Sequence, residues 1–145
     1  MEQIFKIYRI NDNAEESNLQ FVHHELSNSY WAKNIPFETV KKSLENSICF
    51  NVFLGKEQIG FARVITDKST FAYLCDVIIA ENFQRKGIGK ALMQFIMDYP
   101  ELQGLRRFLL GTKDAHALYE KFGFATPEFP DRQMEIRNPD IYNKE

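Results

Sequence analysis

The chain has few cysteines and no long apolar run, and each shortage excludes a class of protein. Two of its 145 residues are cysteine, Cys49 and Cys75, so a disulfide-stapled fold is not supported. No run approaches the roughly 18 consecutive apolar residues of a membrane-spanning helix. The N-terminus also lacks the basic start and apolar stretch of a secretory signal. The sequence therefore predicts a cytoplasmic protein that binds no membrane.

The chain also lacks an excess of charge of one sign and a pattern of metal ligands. Its 18 basic and 20 acidic side chains give a net charge of -2. Because nucleic-acid binding normally rests on several cations that neutralise phosphates, we predict no nucleic-acid partner. His23 and His24 are adjacent and face different sides of a helix, and no cysteine or acid completes a ligand pattern with them. We therefore predict no metal.

The length of 145 residues, with 44% hydrophobic side chains, suits one buried core and is short for two. We expect one domain over residues 1–137 and a loosely held tail at 138–145. Apolar periodicity and short polar loops predict a mixed α/β (α+β) fold with a largely antiparallel sheet. The predicted elements are, in order, a strand at 4–10, helices through Leu19 and Phe37, strands at 48–54, 59–65 and 71–80, a helix through Leu92, a strand at 107–110, a helix through Tyr119, and a strand around Met134 and Ile136.

The most informative segment is residues 83–90, which join an apolar strand to an amphipathic helix. Two glycines, Gly87 and Gly89, let the backbone approach a ligand without a Cβ in the way. Amides at the start of a helix and the helix dipole both favour an anion there. The cations around the turn are Arg85, Lys86 and Lys90. The combination predicts a site for a pyrophosphate.

Two commoner phosphate motifs do not match these residues. The dinucleotide fingerprint requires Gly or Ala where this chain has Leu92, and a P-loop requires Ser or Thr where it has Ala91. What remains is the pattern Gln-x-x-Gly-x-Gly, which begins at Gln84 and opens a helix. Taken alone, the same residues are also compatible with a tight turn and solvated cations.

Two separated segments, in this order, resemble the GNAT superfamily of acyl-CoA-dependent N-acyltransferases. Residues 77–89, VIIAENFQRKGIG, are similar to the family's central strand and its Gln/Arg-x-x-Gly-x-Gly/Ala turn. Residues 115–124, AHALYEKFGF, are similar to its Tyr-Glu-Lys-x-Gly-Phe helix end. Two residues depart from the pattern, because Thr112 stands where many relatives have Asn and Glu81 where Pro is common. The resemblance implies a single-domain GNAT-like fold with a mixed, largely antiparallel central sheet flanked by helices.

The resemblance also implies an activity and a donor site. It implies transfer of the acetyl group of acetyl-CoA to a primary amine of a small molecule or peptide. Amides of the turn are implied to hold the coenzyme A pyrophosphate, and exposed backbone of the preceding strand to align the acyl and pantetheine arm. The implied donor-binding residues are Val77, Ile78, Ile79, Gln84, Arg85, Lys86, Gly87, Ile88, Gly89 and Lys90.

Tyr119 and Asp76 are the candidate catalytic residues. Acyl transfer from a thioester to an amine expels a thiolate, which the phenol of Tyr119 could protonate as a general acid. The place of Tyr119 on an apolar stripe with Leu118 and Phe122 is also typical of a core aromatic. Asp76 is a carboxylate inside an apolar strand, where it needs a partner or a cleft. It is a candidate base for the incoming ammonium or, as the alternative, a structural hydrogen-bond acceptor.

Tyr30, Trp31 and Tyr73 are the candidate residues of the acceptor pocket, with ordinary aromatic packing as the alternative. Cys75 offers a rival route through an acyl-enzyme, although no histidine is visibly placed to generate its thiolate. The chain could also be a non-catalytic acyl-CoA sensor or interaction module that keeps the phosphate turn without the chemistry. The sequence leaves open which amine is the acceptor, whether acyl groups other than acetyl are used, and the oligomeric state, a homodimer included.

Overall fold

The computed structural model describes residues 1–143, which contain one six-stranded sheet in chain order. All neighbouring strands are antiparallel except the last pair, which is parallel. This confirms the predicted mixed, largely antiparallel sheet. The strands are β1 (Glu2–Phe5), β2 (Tyr8–Asn11), β3 (Ile48–Leu54), β4 (Glu57–Thr66), β5 (Phe71–Ile79) and β6 (Arg107–Leu110).

Helices cover both faces of this sheet. On one face, α1 and α2 bury Val22 and Val40 in a cluster with Phe61 of β4. On the other face, α3 buries Leu92 in a cluster with Ala62 of β4. The two faces separate because successive side chains of a strand point in opposite directions. Within residues 1–143, no helix is both long and apolar enough to cross a membrane. The α-helices of this part of the chain are α1 (Leu19–Ser27), α2 (Phe37–Glu45), α3 (Ile88–Met97) and α4 (His116–Glu120).

The predicted single strand at 4–10 is wrong, because these residues form a hairpin. β1 ends at Phe5, which lies opposite Tyr8 at the start of β2. Between them Lys6 has a φ of 55°, in the left-handed region that residues other than glycine rarely adopt. The turn contains no Gly, Asn, Asp or Pro, so composition does not reveal it.

The predicted last strand is also wrong. Met134 and Ile136 are 98% and 96% exposed, and after α4 the only regular structure in the described residues is a short 3-10 turn at Pro130–Arg132. An alternating segment becomes a strand only when a hydrogen-bonded neighbour and a buried face stabilise it. Of the predicted tail, residues 139–142 form a turn, and residues 144 and 145 lie outside the described part.

Strand β5 contains a bulge and then diverges from β6. Phe61 of β4 lies opposite Ile78 of β5, but Arg63 lies opposite Cys75, so β5 holds one extra residue between the two pairs. Within this bulge Asp76 has a φ of 54°. The pairing of β5 with β6 covers only 71–74 against 107–110 in the described residues. Beyond that point the two strands separate and a cleft opens.

Candidate active site

The cleft between β5 and β6 has a volume of about 230 Å³. Its walls come from the α1–α2 connection, the middle of β5, the end of β6 and the start of α4. It brings together both candidate catalytic residues and all three candidate acceptor residues. The lining residues are Tyr30, Trp31, Tyr73, Leu74, Cys75, Asp76, Val77, Leu110, Gly111, Thr112, Asp114, Ala115 and Tyr119.

Tyr119 belongs both to the apolar core and to the wall of the cleft. Its side chain lies on α4 and is 8% exposed, with Phe124 edge-on at 6.2 Å between ring centroids. Within residues 1–143, no protein group forms a hydrogen bond with its hydroxyl. Every fully buried polar side-chain atom in that part of the chain has a hydrogen-bond partner, so the unpaired hydroxyl of Tyr119 must be accessible. Burial, with smaller contributions from Tyr30 and Asp114, raises the pKa of Tyr119. The phenol is therefore protonated at neutral pH and can act as a proton donor.

Asp76 is held by contacts to both of its carboxylate oxygens. The Nε of Arg63 donates to Oδ2 at 2.8 Å, and the indole Nε1 of Trp31 donates to Oδ1 at 3.0 Å. Arg63 also donates from Nη1 to Ser47 Oγ at 3.0 Å. The side chains of the ion pair are 15% and 8% exposed, so each charge depends on the other. These contacts favour a structural part for Asp76, and its use as a general base stays a prediction.

The aromatic candidates form the outer wall of the cleft. Tyr30 and Trp31 are 63% and 47% exposed and meet edge-on at 5.1 Å. Lys113, from the β6–α4 connection, places its ammonium 5.2 Å from the centre of the Tyr30 ring. Tyr73 is half-buried on β5, and its hydroxyl lies near Gly111. Tyr30 and Trp31 belong to neither core cluster, so burial in the core does not account for their position.

The glycine turn forms the start of α3. Gly87 precedes the helix with a φ of 82°, and Arg85 has a φ of 63°. Alternation of left-handed and ordinary residues makes backbone amides converge, which is the geometry of an anion-binding concavity. Gln84 donates from Nε2 to the carbonyl of Ile79 at 3.0 Å and so ties the turn to the end of β5. No side chain of the described residues caps the helix, and its first amides stay open to a ligand.

The three predicted donor-binding strand residues have different surroundings. Val77 lines the cleft, Ile78 is buried on the face of α1 and α2, and Ile79 ends the strand. All three lie beyond the last pair with β6, so the β6-facing backbone of this stretch has no strand partner in residues 1–143. A ligand extending from the glycine turn toward Tyr119 would follow this edge.

Three polar residues of the site were missed by the sequence analysis. Lys6 places its ammonium 3.5 Å from the carbonyl oxygen of Lys86, in the glycine turn. Arg63 is the partner of Asp76, and its signal was the same as that of Asp76, a charge inside an apolar strand. Asp114 lines the cleft. No local sequence pattern indicates a role for Lys6 or Asp114, because the residues that lie beside them in the fold are distant in the sequence.

Cysteine and metal chemistry have little support in the site. Burial raises the pKa of Cys75 to about 12 and that of Cys49 to about 11, so both thiols are protonated at neutral pH. Among residues 1–143, no three His, Cys, Asp or Glu side chains cluster as metal ligands.

Comparison with known proteins places the chain in a family. The model of the acetyltransferase (GNAT) family matches residues 10–124, and the chain belongs to that family. A crystal structure of a GNAT-family protein from Xanthomonas campestris pv. campestris is 41% identical, with a TM-score of 0.92 over 94% of this chain and 97% of that one. A GNAT-family acetyltransferase from Elizabethkingia anophelis, crystallised with acetyl-CoA bound, shares the fold at 18% identity, with a TM-score of 0.65 over 90% of this chain and 88% of that one.

Curated relatives are more distant. A Gibberella zeae protein is 33% identical over an alignment of 113 positions, and the match covers 63% of each chain. The uncharacterized N-acetyltransferase ycf52 of Porphyra purpurea is 29% identical over an alignment of 118 positions, and the match covers 77% of this chain and 67% of that protein. The chain thus spans about two thirds of these relatives' length.

Proposed function

We propose that this protein is an N-acetyltransferase that transfers the acetyl group of acetyl-CoA directly to a primary amine. One observation carries the proposal. The free edge of β5 at 75–79 runs from the uncapped glycine turn to the cleft that holds Tyr119. A pyrophosphate at the turn and a thioester beside Tyr119 would therefore belong to one extended donor.

The donor would be held mainly by backbone. Open amides between Arg85 and Lys90 would meet the pyrophosphate, with Lys86 and Lys90 adding positive charge. Backbone groups of 77–79 that face the β6 side and have no strand partner there in residues 1–143 would hydrogen-bond the pantetheine amides as a neighbouring strand would. Gly89 keeps the approach open, because among the described residues nothing lies within 4 Å of a Cβ placed there.

Tyr119 would complete the transfer. The lone pair of a neutral amine attacks the thioester carbonyl carbon, a C–N bond forms, and the C–S bond breaks with its electrons on sulfur. The phenol of Tyr119 gives its proton to the departing thiolate, and the proton lost by the amine nitrogen restores the phenol through solvent. A tyrosine whose pKa is raised by burial is suited to this task because it holds its proton until the thiolate forms.

Direct transfer is preferred to a route through an acyl-enzyme. Cys75 lies in the cleft, but burial holds its pKa near 12, so little thiolate exists to attack the thioester. Asp76, engaged by Arg63 and Trp31, would hold the acceptor wall in place.

Calorimetry with coenzyme A, together with thiol release from acetyl-CoA over a panel of amines, tests the proposal. We expect binding and amine-dependent release. The variants Arg85→Gln and Lys86→Gln should each weaken binding about three- to tenfold, because each removes a cation beside the pyrophosphate. Lys41→Gln, an exposed lysine on α2, is the matched control and should bind as the parent does. Binding without release on any amine would support the sensor, and absence of binding by the folded protein would contradict both functions.

A further inference from the structure

The charges in the wall of the cleft have one sign. Its two ionised side chains are Asp76 and Asp114, and none of the described lining residues is Lys, Arg or His. Asp76 is neutralised by its ion pair with Arg63. Asp114 is exposed and has neither an ion pair nor a side-chain hydrogen bond within residues 1–143. The cleft therefore presents one uncompensated negative charge to whatever enters it.

Two cations close to the wall of the cleft, Arg63 and Lys113, have partners of their own. Arg63 lies behind Asp76, is 15% exposed, and also donates to Ser47. Lys113 holds its ammonium 5.2 Å from the centre of the Tyr30 ring and is not among the lining residues of the cleft. A carboxylate or phosphate in the cleft would face Asp114, and none of the described lining residues supplies a cation to compensate it, which is unfavourable in a partly dehydrated site.

The aromatic wall favours the opposite charge. The rings of Tyr30, Trp31 and Tyr73 line the cleft. The face of an aromatic ring attracts an ammonium or its neighbouring methylene groups. A volume of about 230 Å³, part of which the acyl end of the donor would occupy, leaves room for a small acceptor only.

From these features we infer that the acceptor is a small diamine or polyamine without an acidic group, and that Asp114 binds its second ammonium. The inference rests on the proposed acetyl transfer and deepens it. The reacting nitrogen enters as the neutral amine near Tyr119, the carbon chain lies along the aromatic rings, and the distal ammonium meets Asp114 at the rim. Amino acids and sugar phosphates are excluded as good acceptors by the same charges.

Three amines with one chain length make the test sharp. Cadaverine carries two amines, n-pentylamine lacks the second, and lysine adds a carboxylate to the cadaverine skeleton. At about pH 8 the distal amine is protonated, since such amines have a pKa of about 10.4. We expect kcat/KM for cadaverine to exceed that for pentylamine about tenfold, beyond the roughly twofold advantage of two reactive ends, and lysine to be the poorest. The preference should shrink as salt is added.

The variant Asp114→Asn identifies the residue responsible. It should reduce the cadaverine-to-pentylamine ratio of kcat/KM to about two, mainly through the KM for cadaverine. Any effect of Asp114 on Tyr119 acts on both amines alike and cancels in this ratio. Asp131→Asn removes the same charge from an exposed position outside the cleft and should keep the parent ratio.

The outcomes separate the two proposals. Transfer to pentylamine at least as good as to cadaverine, a preference for lysine, or an unchanged ratio in Asp114→Asn would each overturn this inference and leave acetyl transfer standing. No thiol release with these three amines but release with another amine of the panel would also overturn this inference alone, whereas no release with any amine of the panel, with coenzyme A bound, would count against both.

Discussion

Two polar clusters tie helical segments to the sheet, one among buried residues and the other at the wall of the cleft. The inner cluster consists of Asn11, Asn51 and Gln58 on β2, β3 and β4, each at most 4% exposed. Asn51 donates from Nδ2 to Asn11 Oδ1 at 3.2 Å and accepts at Oδ1 from Gln58 Nε2 at 2.9 Å. Gln58 in turn accepts from the backbone amide of Asn18, which caps α1.

The cleft cluster consists of Trp31, Arg63 and Asp76. It is charged, and Trp31 is 47% exposed. Asp76 has left-handed backbone in a bulge, a geometry that surrounding contacts must hold.

The two clusters have different roles, because the inner cluster supports the fold and the cleft cluster lies beside the candidate active site. In the inner cluster, protein groups satisfy the polar atoms, so its value is a unique placement of α1 on the sheet. The cleft cluster performs a similar tie, between the α1–α2 connection and β5, but at the wall of a cavity. Changes in the inner cluster should therefore lower stability alone, whereas changes at the cleft should affect stability or catalysis according to the residue.

The largest expected effect comes from Asp76→Asn. The change removes one charge of a buried pair and leaves Arg63 without its anion, which costs about 3 kcal/mol of unfolding free energy. Asparagine tolerates left-handed backbone, so the variant tests charge rather than conformation. Denaturant unfolding at neutral pH measures the loss, with Asp131→Asn as the control. A loss below about 1 kcal/mol would mean that the pair is replaceable by neutral hydrogen bonds.

Next in size is Tyr119→Phe, which should lower kcat about 100-fold by removing the general acid, with stability nearly unchanged because the ring stays. In the parent enzyme the acid must keep its proton. Since burial raises the pKa of Tyr119, kcat at saturating amine should not fall between neutral pH and about pH 10. A phenylalanine variant with parental kcat would leave Tyr119 as a core aromatic only.

A smaller effect is expected in the inner cluster. Asn51→Leu keeps the branched shape of the side chain but removes the acceptor of Ser17 Oγ and Gln58 Nε2 and the donor to the carbonyl of Asn13, for a loss of about 2 kcal/mol in unfolding free energy. The kcat/KM of the folded fraction should match the parent. If catalysis fell while stability held, the division between the two clusters would be wrong.

The smallest expected effects come from Gly89→Ala, which should raise stability and weaken coenzyme A binding. Gly89 lies in the first turn of α3 with open space around its Cβ direction in residues 1–143. Gly89→Ala should raise stability by about 0.5 to 1 kcal/mol through helix propensity. It should also weaken coenzyme A binding about fivefold, because the methyl group stands where the pyrophosphate approaches. Denaturant unfolding measures the change in stability, and calorimetry on the same sample measures the change in coenzyme A affinity. An unchanged affinity would mean that the phosphates bind elsewhere.

Local patterns predicted much of the fold and failed where a partner decides the outcome. The strands at 48–54 and 107–110 were predicted with the bounds that the structure has, because each alternates or runs apolar between clear turn signals. Gly123, shortly after the end of α4, has a φ of 95°, which is the left-handed backbone that glycine commonly supplies after a helix. The hairpin at Lys6 was missed because the residue types at its turn are ordinary. The strand at Met134 was predicted from alternation alone, and an alternating segment forms a strand only when it pairs with a neighbouring strand.

The candidate site divides in the same way. The glycine turn and the helix around Tyr119 could be read from the chain because their spacing is local and resembles a family pattern. The pairing of Arg63 with Asp76, the position of Lys6 at the turn, and the place of Asp114 in the cleft could not. They depend on the register of strands and on loops brought together from distant parts of the chain.

The sequence by itself determined the family, the order of most helices and strands, and the glycine turn that we propose binds phosphate, since each is written in short-range periodicity or in a local motif. The tertiary structure decided which charges are neutralised and which stay free in the cleft. Two aspartates that look alike in the chain differ because one lies beside a buried arginine and the other faces an open rim, and only the folded backbone sets those distances.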